Sequence, residues 1–167
     1  TYTADTLTIP CDNEYFRIKG TLWEGKTLHD LYQEACTPWE WQPRLKALAN
    51  DLGMDCFSTP FDATAVDFLE NMDVPCHKVA SFEVVDIPLL KKIGSTGKPV
   101  IMSTGMASLA EIDEAVTTLR ANGTRELALL KCTSAYPAPP EEANLLTIPH
   151  LAQAFNCVAG LSDHTLG

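Results

Sequence analysis

Short apolar runs that end in small polar clusters recur five times along the chain, with helix-like segments between them. The runs begin near Met54, Cys76, Pro99, Leu127 and Val158, so successive starts are 22, 23, 28 and 31 residues apart. The clusters are Ser-Thr-Pro-Phe-Asp at 58–62, Ala-Ser-Phe-Glu at 80–83, Ser-Thr-Gly-Met at 103–106, Cys-Thr-Ser-Ala-Tyr-Pro at 132–137 and Ser-Asp-His-Thr at 162–165. The spacing suits a repeated strand, turn, helix and return. Polar residues at the same end of every strand predict parallel strands that share one functional rim.

This pattern predicts an α/β fold of the TIM (β/α)8 type, but only part of one. A complete barrel takes roughly 250 residues, whereas this sequence has 167 residues and about five βα units. The sequence begins without Met and stops just after a polar cluster. We therefore expect residues 1–167 to be a partial barrel domain of a longer protein.

Helical periodicity between the clusters predicts six helices, and two of them carry end signals. Ser108 precedes Glu111 by three residues, which is a capping box, and Gly123 supplies a stop. Thr37 followed by Pro38 predicts an N-cap and a first helical position. The predicted helices cover 26–36, 38–52, 64–72, 87–93, 108–122 and 146–155.

Composition narrows the class of partner. The net charge of −10, from 12 basic and 22 acidic residues, argues against nonspecific binding to nucleic acid or to an anionic membrane surface. No apolar run approaches the roughly 20 residues that a membrane span needs. The six cysteines contain no Cys-x-x-Cys pair, so we expect reduced thiols in a cytoplasmic protein.

Two lysines stand inside apolar strands and are candidate anion ligands. Lys78 lies in His-Lys-Val-Ala-Ser-Phe-Glu at 77–83, and Lys131 lies in Leu-Leu-Lys-Cys-Thr at 129–133. A lysine in such a strand needs a partner. It either extends outward to water or places its cation in the barrel mouth, where it binds an anion or forms an imine. Two lysines on one rim would make a cationic patch suited to a phosphate or a carboxylate.

Hydroxyl side chains at the strand ends could bind an oxyanion together, although each alone is more often a turn or cap residue. They are Ser81, Ser103, Ser162, Thr59 and Ser134. Strict alternation would put Lys78 and Ser81 on opposite faces of a strand. Their cooperation therefore requires the strand to bend or end near Ala80.

His164 and Cys132 are weaker candidates. A lone histidine is either a structural residue or one ligand of a metal whose other ligands come from elsewhere. His77 faces away from Lys78 by alternation. The Cys132 thiol has no histidine or acid placed by sequence to activate it.

The motifs together resemble the sialic acid synthase family, over essentially the whole chain. The resemblance is carried by Lys-Val-Ala-Ser-Phe-Glu at 78–83, Gly-Lys-Pro-Val-Ile-Met-Ser-Thr-Gly-Met at 97–106 and Gly-Leu-Ser-Asp-His-Thr at 160–165. The clusters at 58–62 and 132–137 fit as well. The segment 31–41, with Leu-Tyr-Gln-Glu-Ala and Pro-Trp-Glu-Trp, is most similar to the pseudaminic acid synthase branch.

The resemblance implies a metal-dependent condensation of phosphoenolpyruvate with an N-acetylated amino sugar, which yields a nonulosonic acid and phosphate. The metal would be Mn²⁺, Mg²⁺ or Co²⁺. In the pseudaminic branch the acceptor would be a 2,4-diacetamido-2,4,6-trideoxy-altrose. The family's barrel is followed by an antifreeze-like domain that reaches into the partner's site, so the resemblance also implies a domain-swapped homodimer.

The resemblance also implies residue roles. Lys78, Ser81, Ser103 and Ser162 would hold phosphoenolpyruvate, with Thr59 beside them. Lys78 and Glu83 would be the catalytic residues, Glu83 and Tyr136 would face the sugar, and His164 would bind metal. Ser134 stands where the neuraminate branch tends to carry Asn. Several parts of the family's enzyme are absent from these residues: the first strand with its catalytic Glu, the Lys-x-Gln that ends the second strand, the eighth strand with the second metal His, and the antifreeze-like domain. We therefore expect residues 1–167 alone to be inactive.

Two other functions fit the same residues. An imine-forming barrel aldolase would use Lys78 or Lys131. A noncatalytic barrel that binds sugar phosphates would use the same rim without turnover.

Overall fold

Four parallel strands with helices between them form the centre of the fold in a computed structural model that describes residues 1–20 and 22–166. The strands are β1 (His77–Val79), β2 (Val100–Ser103), β3 (Leu127–Cys132) and β4 (Val158–Ser162). The helices are α1 (Ala4–Leu7), α2 (Leu28–Ala35), α3 (Gln42–Asp51), α4 (Ala63–Asn71), α5 (Ile87–Ser95), α6 (Leu109–Ala121) and α7 (Thr147–Phe155). Short 3-10 turns cover Trp39–Trp41, Ser81–Val85 and Pro140–Glu142.

The strands pair in sequence order, β1-β2-β3-β4, and every pair is parallel. Sequential parallel strands joined by helices are the arrangement of a β/α barrel. The predicted α/β class and partial barrel are confirmed. All carboxyl ends of the strands therefore lie at one rim.

The two faces of the sheet have different environments. Val79, Met102 and Leu129 are fully buried in the core that the sheet forms with the helices. Because successive side chains in a strand point to opposite faces, Lys78, Ser103 and Cys132 belong to the other face. That face corresponds to the interior of a barrel.

The first of the five predicted strands differs from expectation. The run from Met54 contributes one parallel bridge, between Ser58 and His77, and one further bond from the Lys78 amide to the Ser58 carbonyl at 3.3 Å. Met54, Asp55 and Phe57 are exposed, so this segment buries little side-chain surface against the described chain. Its backbone still lies beside β1, as the repeat predicted.

The helix predictions hold except for one start. Ser108 caps α6 through a complete capping box with Glu111, and Gly123 ends it with φ +123°. The Thr37 cap is wrong, because the Trp39–Trp41 turn comes first and α3 begins at Gln42 with a proline in its first two positions. The N-terminal region, for which no helix was predicted, contains the four-residue α1.

The apolar side of α3 is exposed: Leu45, Leu48 and Leu52 are exposed by 49%, 56% and 66%.

None of the helices in the described ranges is long and apolar enough to cross a membrane. All six cysteines are free thiols.

Candidate active site at the strand ends

Lys78 and Ser103 meet at the rim, on the interior face of the sheet. The Lys78 Nζ donates to Ser103 Oγ and to the Val79 carbonyl, both at 2.7 Å. Lys78 is half-buried and Ser103 is buried. Burial lowers the pKa of the Lys78 amine, while Cys132 and Glu83 act in the opposite direction. Of the two alternatives for Lys78, this geometry fits the one in which its cation lies in the barrel mouth.

Ser81 reaches the same region because β1 is short. The strand ends at Val79, and Ser81 opens the 3-10 turn Ser81–Val85. The strand therefore ends where cooperation of Lys78 and Ser81 required it to. Ser81 Oγ accepts a hydrogen bond from the Gly105 amide at 3.1 Å, which ties the β1 end to the β2 end.

Gly105 brings three strand ends together. A Cβ at this position would lie 2.4 Å from Ser134 Oγ, 2.9 Å from Ser81 Oγ and 3.2 Å from the Cys132 carbonyl. Such distances leave no room for a side chain. The Ser81 and Ser134 hydroxyls therefore approach one another across a bare backbone.

His164 closes the row at the end of β4. Its Nδ1 lies 3.0 Å from the Thr133 carbonyl and 3.9 Å from Cys132 Sγ, which is itself 3.9 Å from Ser134 Oγ. A carbonyl oxygen only accepts, so Nδ1 carries the proton of this bond. In the neutral ring Nε2 then has the free lone pair.

Tyr136 covers the His164 ring, with ring centroids 4.4 Å apart and planes 33° apart. The tyrosine is exposed by 77%, so it presents a surface to the open side of the rim. Partial burial of the phenol, and to a smaller extent the nearby Cys132, raise the pKa of this tyrosine. The structure therefore joins Lys78, Ser81, Ser103, Ser134, Tyr136 and His164 in one contiguous row, here called the rim cluster.

Ser162 and Thr59 flank this row. Ser162 pairs in register with Cys132, on the same face as Ser103. Thr59 follows the Ser58 bridge to β1, and its carbonyl accepts from the Thr1 amine at 2.7 Å. None of the described contacts joins the Thr59 hydroxyl to the rim cluster.

Glu83 lies two residues after Ser81 in the same 3-10 turn. It is close enough to Lys78 to affect the pKa of the lysine. Burial raises the pKa of the Glu83 carboxyl; its own amide lowers it, Asp86 raises it and Lys78 lowers it. Its Oε2 is buried and has no hydrogen-bond partner among the described residues. A half-buried carboxyl with a raised pKa and an unpaired oxygen is a candidate functional residue.

Lys131 is not part of this rim, and the prediction of a two-lysine patch is wrong. It shares strand parity with the core residues Leu127 and Leu129. Its Nζ donates to Thr133 Oγ1 and to the Glu142 carbonyl, at 3.1 Å for the latter. Lys131 is therefore a buried cation on the helix side of β3.

Comparisons with known proteins agree with this arrangement. A sequence model of the NeuB family matches residues 1–167. The chain belongs to the NeuB family. Pseudaminic acid synthase of Helicobacter pylori is 43% identical over 167 residues, which is 100% of this chain and 49% of that protein. An N,N'-diacetyllegionaminic acid synthase of Campylobacter jejuni is 46% identical over 112 residues, which is 66% of this chain and 34% of that protein.

A solved structure gives the same picture of the fold. N-acetylneuraminic acid synthetase of Leptospira borgpetersenii superposes with a TM-score of 0.80 at 31% identity, over 84% of this chain and 49% of that one. The chain spans about half the length of the curated relatives it matches. The resemblance to the sialic acid synthase family, and over the whole chain to pseudaminic acid synthases, is confirmed.

The NeuB chain fits a metal only in part. An imidazole whose Nδ1–H is held by a carbonyl is the usual arrangement of a metal-binding histidine, and His164 has it. The described residues contain no group of three or more His, Cys, Asp and Glu side chains that could hold a metal. His164 is the candidate ligand at this rim, and its metal-binding role stays a prediction.

Sequence reasoning missed the role of Gly105 at the rim and misplaced Lys131, which lies on the opposite face of the sheet. The Ser-Thr-Gly-Met turn looks too short to be a phosphate loop, yet Gly105 sets how closely two hydroxyls approach. The only available signal was a glycine two residues after the end of β2. For Lys131 the sequence offered no signal of face, because β3 is apolar at both parities.

Proposed function

We propose that this NeuB chain carries the phosphoenolpyruvate-binding part of the active site of a nonulosonic acid synthase. The observation that carries the proposal is the contact of the Lys78 ammonium with Ser103 at the interior rim, beside the Ser81 and Ser134 hydroxyls. Three relatives that match over the whole chain at 41% to 43% identity are named as pseudaminic acid synthases.

The donor chemistry suits this rim. Phosphoenolpyruvate carries a phosphate and a carboxylate, and ammonium and hydroxyl groups bind such anions by charge-assisted hydrogen bonds. In our proposal Lys78, Ser81, Ser103 and Ser162 hold this donor, with Thr59 beside them. The local cation explains how a chain of net charge −10 binds an anion.

The acceptor would lie towards the exposed side of the rim. Ser134, Tyr136 and Glu83 would face an N-acetylated amino sugar, and we propose the pseudaminic-type acceptor, a 2,4-diacetamido-2,4,6-trideoxy-altrose. His164 would be one ligand of a divalent metal, Mn²⁺, Mg²⁺ or Co²⁺. When bound, such a metal polarises the open-chain sugar aldehyde as a Lewis acid.

The condensation needs positioning and charge stabilisation from these residues. The methylene carbon of phosphoenolpyruvate forms a bond to the aldehyde carbon, and the aldehyde oxygen takes up a proton to become a hydroxyl. Water then adds to the cationic C2, loses a proton, and phosphate leaves. The Glu83 carboxylate is placed to stabilise the cation or to accept the proton of the water.

The complete enzyme would include chain that these residues do not supply. We propose that the remaining metal ligands and the first-strand carboxylate come from outside residues 1–167. We further propose that the full-length protein is a domain-swapped homodimer and that residues 1–167 alone are inactive.

An assay of the full-length protein tests the proposal. Phosphate release is measured with phosphoenolpyruvate and Mn²⁺, with either the 2,4-diacetamido sugar or N-acetylmannosamine, and the product is identified by mass. We expect release with the diacetamido sugar and a pseudaminic-type product. No release with either acceptor would contradict the proposal, and release with N-acetylmannosamine alone would contradict the choice of acceptor.

An imine-forming aldolase is the second candidate, because burial lowers the pKa of Lys78 and favours its free amine. Borohydride reduction in the presence of pyruvate separates the two. A synthase leaves Lys78 unmodified, whereas an imine enzyme gains the mass of a reduced pyruvyl adduct there.

A further inference from the structure

Lys131 is a buried cation without a carboxylate partner. It is exposed by 8%, and among the described residues it forms no ion pair within 4 Å. A buried ammonium needs hydrogen-bond acceptors. Its acceptors are the Thr133 hydroxyl and the Glu142 carbonyl, the latter at 3.1 Å.

These two acceptors are the two ends of one loop. Thr133 follows β3 directly, and Glu142 ends the 3-10 turn Pro140–Glu142. Thr133 Oγ1 also donates to the Glu142 carbonyl at 3.1 Å. The ammonium, the hydroxyl and the carbonyl therefore close a small polar triangle that fixes the loop at both ends.

The loop that this triangle closes carries the outer half of the rim cluster. Ser134 and Tyr136 lie on it, and Tyr136 stacks on His164. Its backbone also holds His164: the Thr133 carbonyl accepts from Nδ1 at 3.0 Å, and the Ala138 amide donates to the His164 carbonyl at 2.8 Å. Thr133 thus bonds Lys131 through its side chain and His164 through its carbonyl.

We infer that Lys131 is a positioning residue that clamps the 133–142 loop and thereby orients the His164 ring and the acceptor side of the rim. Lys131 acts from the helix side of β3 and touches no substrate. The inference rests on the proposed function for what the loop binds. The residues that hold phosphoenolpyruvate in our proposal, Lys78, Ser81, Ser103 and Ser162, lie outside the 133–142 loop. Phosphoenolpyruvate binding therefore does not depend on the clamp.

The test compares Lys131→Met with the wild type in the full-length protein. Methionine keeps the length and removes the donors. Amide hydrogen exchange of peptides spanning 133–142 measures the clamp directly, because the Ala135 amide is bonded to the Thr133 carbonyl and the Ala138 amide to the His164 carbonyl. We expect exchange there to become about tenfold faster. Steady-state kinetics should show the KM for the sugar raised about tenfold, with the KM for phosphoenolpyruvate within about twofold.

Two further variants keep the test sharp. Thr133→Val removes the hydroxyl from the triangle and should reproduce both effects. Lys91→Met removes an exposed lysine of α5 and should change neither. If Lys131→Met does not fold, Thr133→Val decides in its place.

Unchanged exchange and unchanged sugar KM in Lys131→Met would overturn the inference. An equal rise in both KM values would also overturn it, because a clamp on one loop acts on one substrate. If the wild type shows no synthase activity, the proposed function fails, and the exchange rates alone still decide whether Lys131 holds the loop.

Discussion

Lys78 and Lys131 occupy the same sequence context, a single cation near the carboxyl end of an apolar strand, and yet they face opposite sides of the sheet. The difference comes from strand parity: Lys78 opposes Ile101 in register, whereas Lys131 follows the parity of the core residue Leu129. A strand covered on both faces shows no polar alternation. The sequence therefore placed both lysines in apolar strands but did not show which of them faces the rim.

Gly105 provides a residue-scale test of the rim geometry. Gly105→Ala would put a methyl group 2.4 Å from Ser134 Oγ and 2.9 Å from Ser81 Oγ, so the two hydroxyls must separate. We expect the protein to fold and kcat/KM for phosphoenolpyruvate to fall about a hundredfold, which is about 2.7 kcal/mol of transition-state stabilisation.

Gly160→Ala is the matched control for that variant. The added methyl group would meet only the flexible Leu130 Cδ2 at 3.2 Å, and kcat/KM should stay within about threefold. A Gly105→Ala enzyme as active as the wild type would contradict the account of the rim.

We predict that ionisation of the half-buried Glu83 carboxyl lowers the folding stability of the protein at neutral pH. Burial raises its pKa in the folded state, so the unfolded chain ionises first as pH rises above about 4.5, and folding stability is lost between that pH and the folded pKa. Glu83→Gln removes this ionisation. We expect it to raise the free energy of unfolding at pH 7, to flatten the pH dependence of that free energy and to abolish most turnover.

Urea unfolding at pH 4 and pH 7 measures this effect. The gain of Glu83→Gln should be present at pH 7 and small at pH 4, where the carboxyl is protonated in both states. A variant destabilised at pH 7, or one with full activity, would show that Glu83 has a structural role instead.

At the scale of elements, the bounds of a helix with clear end signals were predicted well, and those of segments without packing partners were predicted poorly. The capping box at Ser108 and the stop at Gly123 placed α6 within one residue at each end. The strand from Met54 and the start of α3 differed from prediction. The Thr37-Pro38 signal precedes a 3-10 turn rather than α3 itself, and both segments expose apolar side chains, such as Leu48 and Phe57, that would need packing partners to define them.

Ser108→Ala tests the contribution of the α6 cap. The substitution removes the Ser108 Oγ that accepts from the Glu111 amide at 3.3 Å and donates to its carboxylate at 2.8 Å. We expect the free energy of unfolding to fall by about 1 kcal/mol, measured by urea denaturation, with unchanged kinetics because the cap contacts no rim residue.

Ser95→Ala is a suitable comparison, since its hydroxyl bonds only the Lys92 carbonyl at the end of α5. It should lower stability by less than about 0.5 kcal/mol. Equal losses in the two variants would show that the box adds nothing beyond an exposed serine.

At the scale of the whole molecule, the repeat was the most informative feature of the sequence. Five run starts 22 to 31 residues apart predicted parallel strands in sequential order, and the β1-β2-β3-β4 sheet has that order. The repeat could not predict which side chains meet on the interior face. Their positions depend on where strands end, such as at Val79, and on the conformation of loops such as 133–142. The chain also spans about half the length of its curated relatives.

The most direct measurement is phosphoenolpyruvate affinity in two matched variants of the full-length protein, Lys78→Met and Lys131→Met, by titration calorimetry. The two lysines lie on opposite faces of one sheet and lose the same group. We predict that Lys78→Met weakens binding at least a hundredfold, about 2.7 kcal/mol, while Lys131→Met stays within about twofold of the wild type. Equal affinities in the two variants, or a larger loss in Lys131→Met, would contradict the placement of the donor at the interior rim.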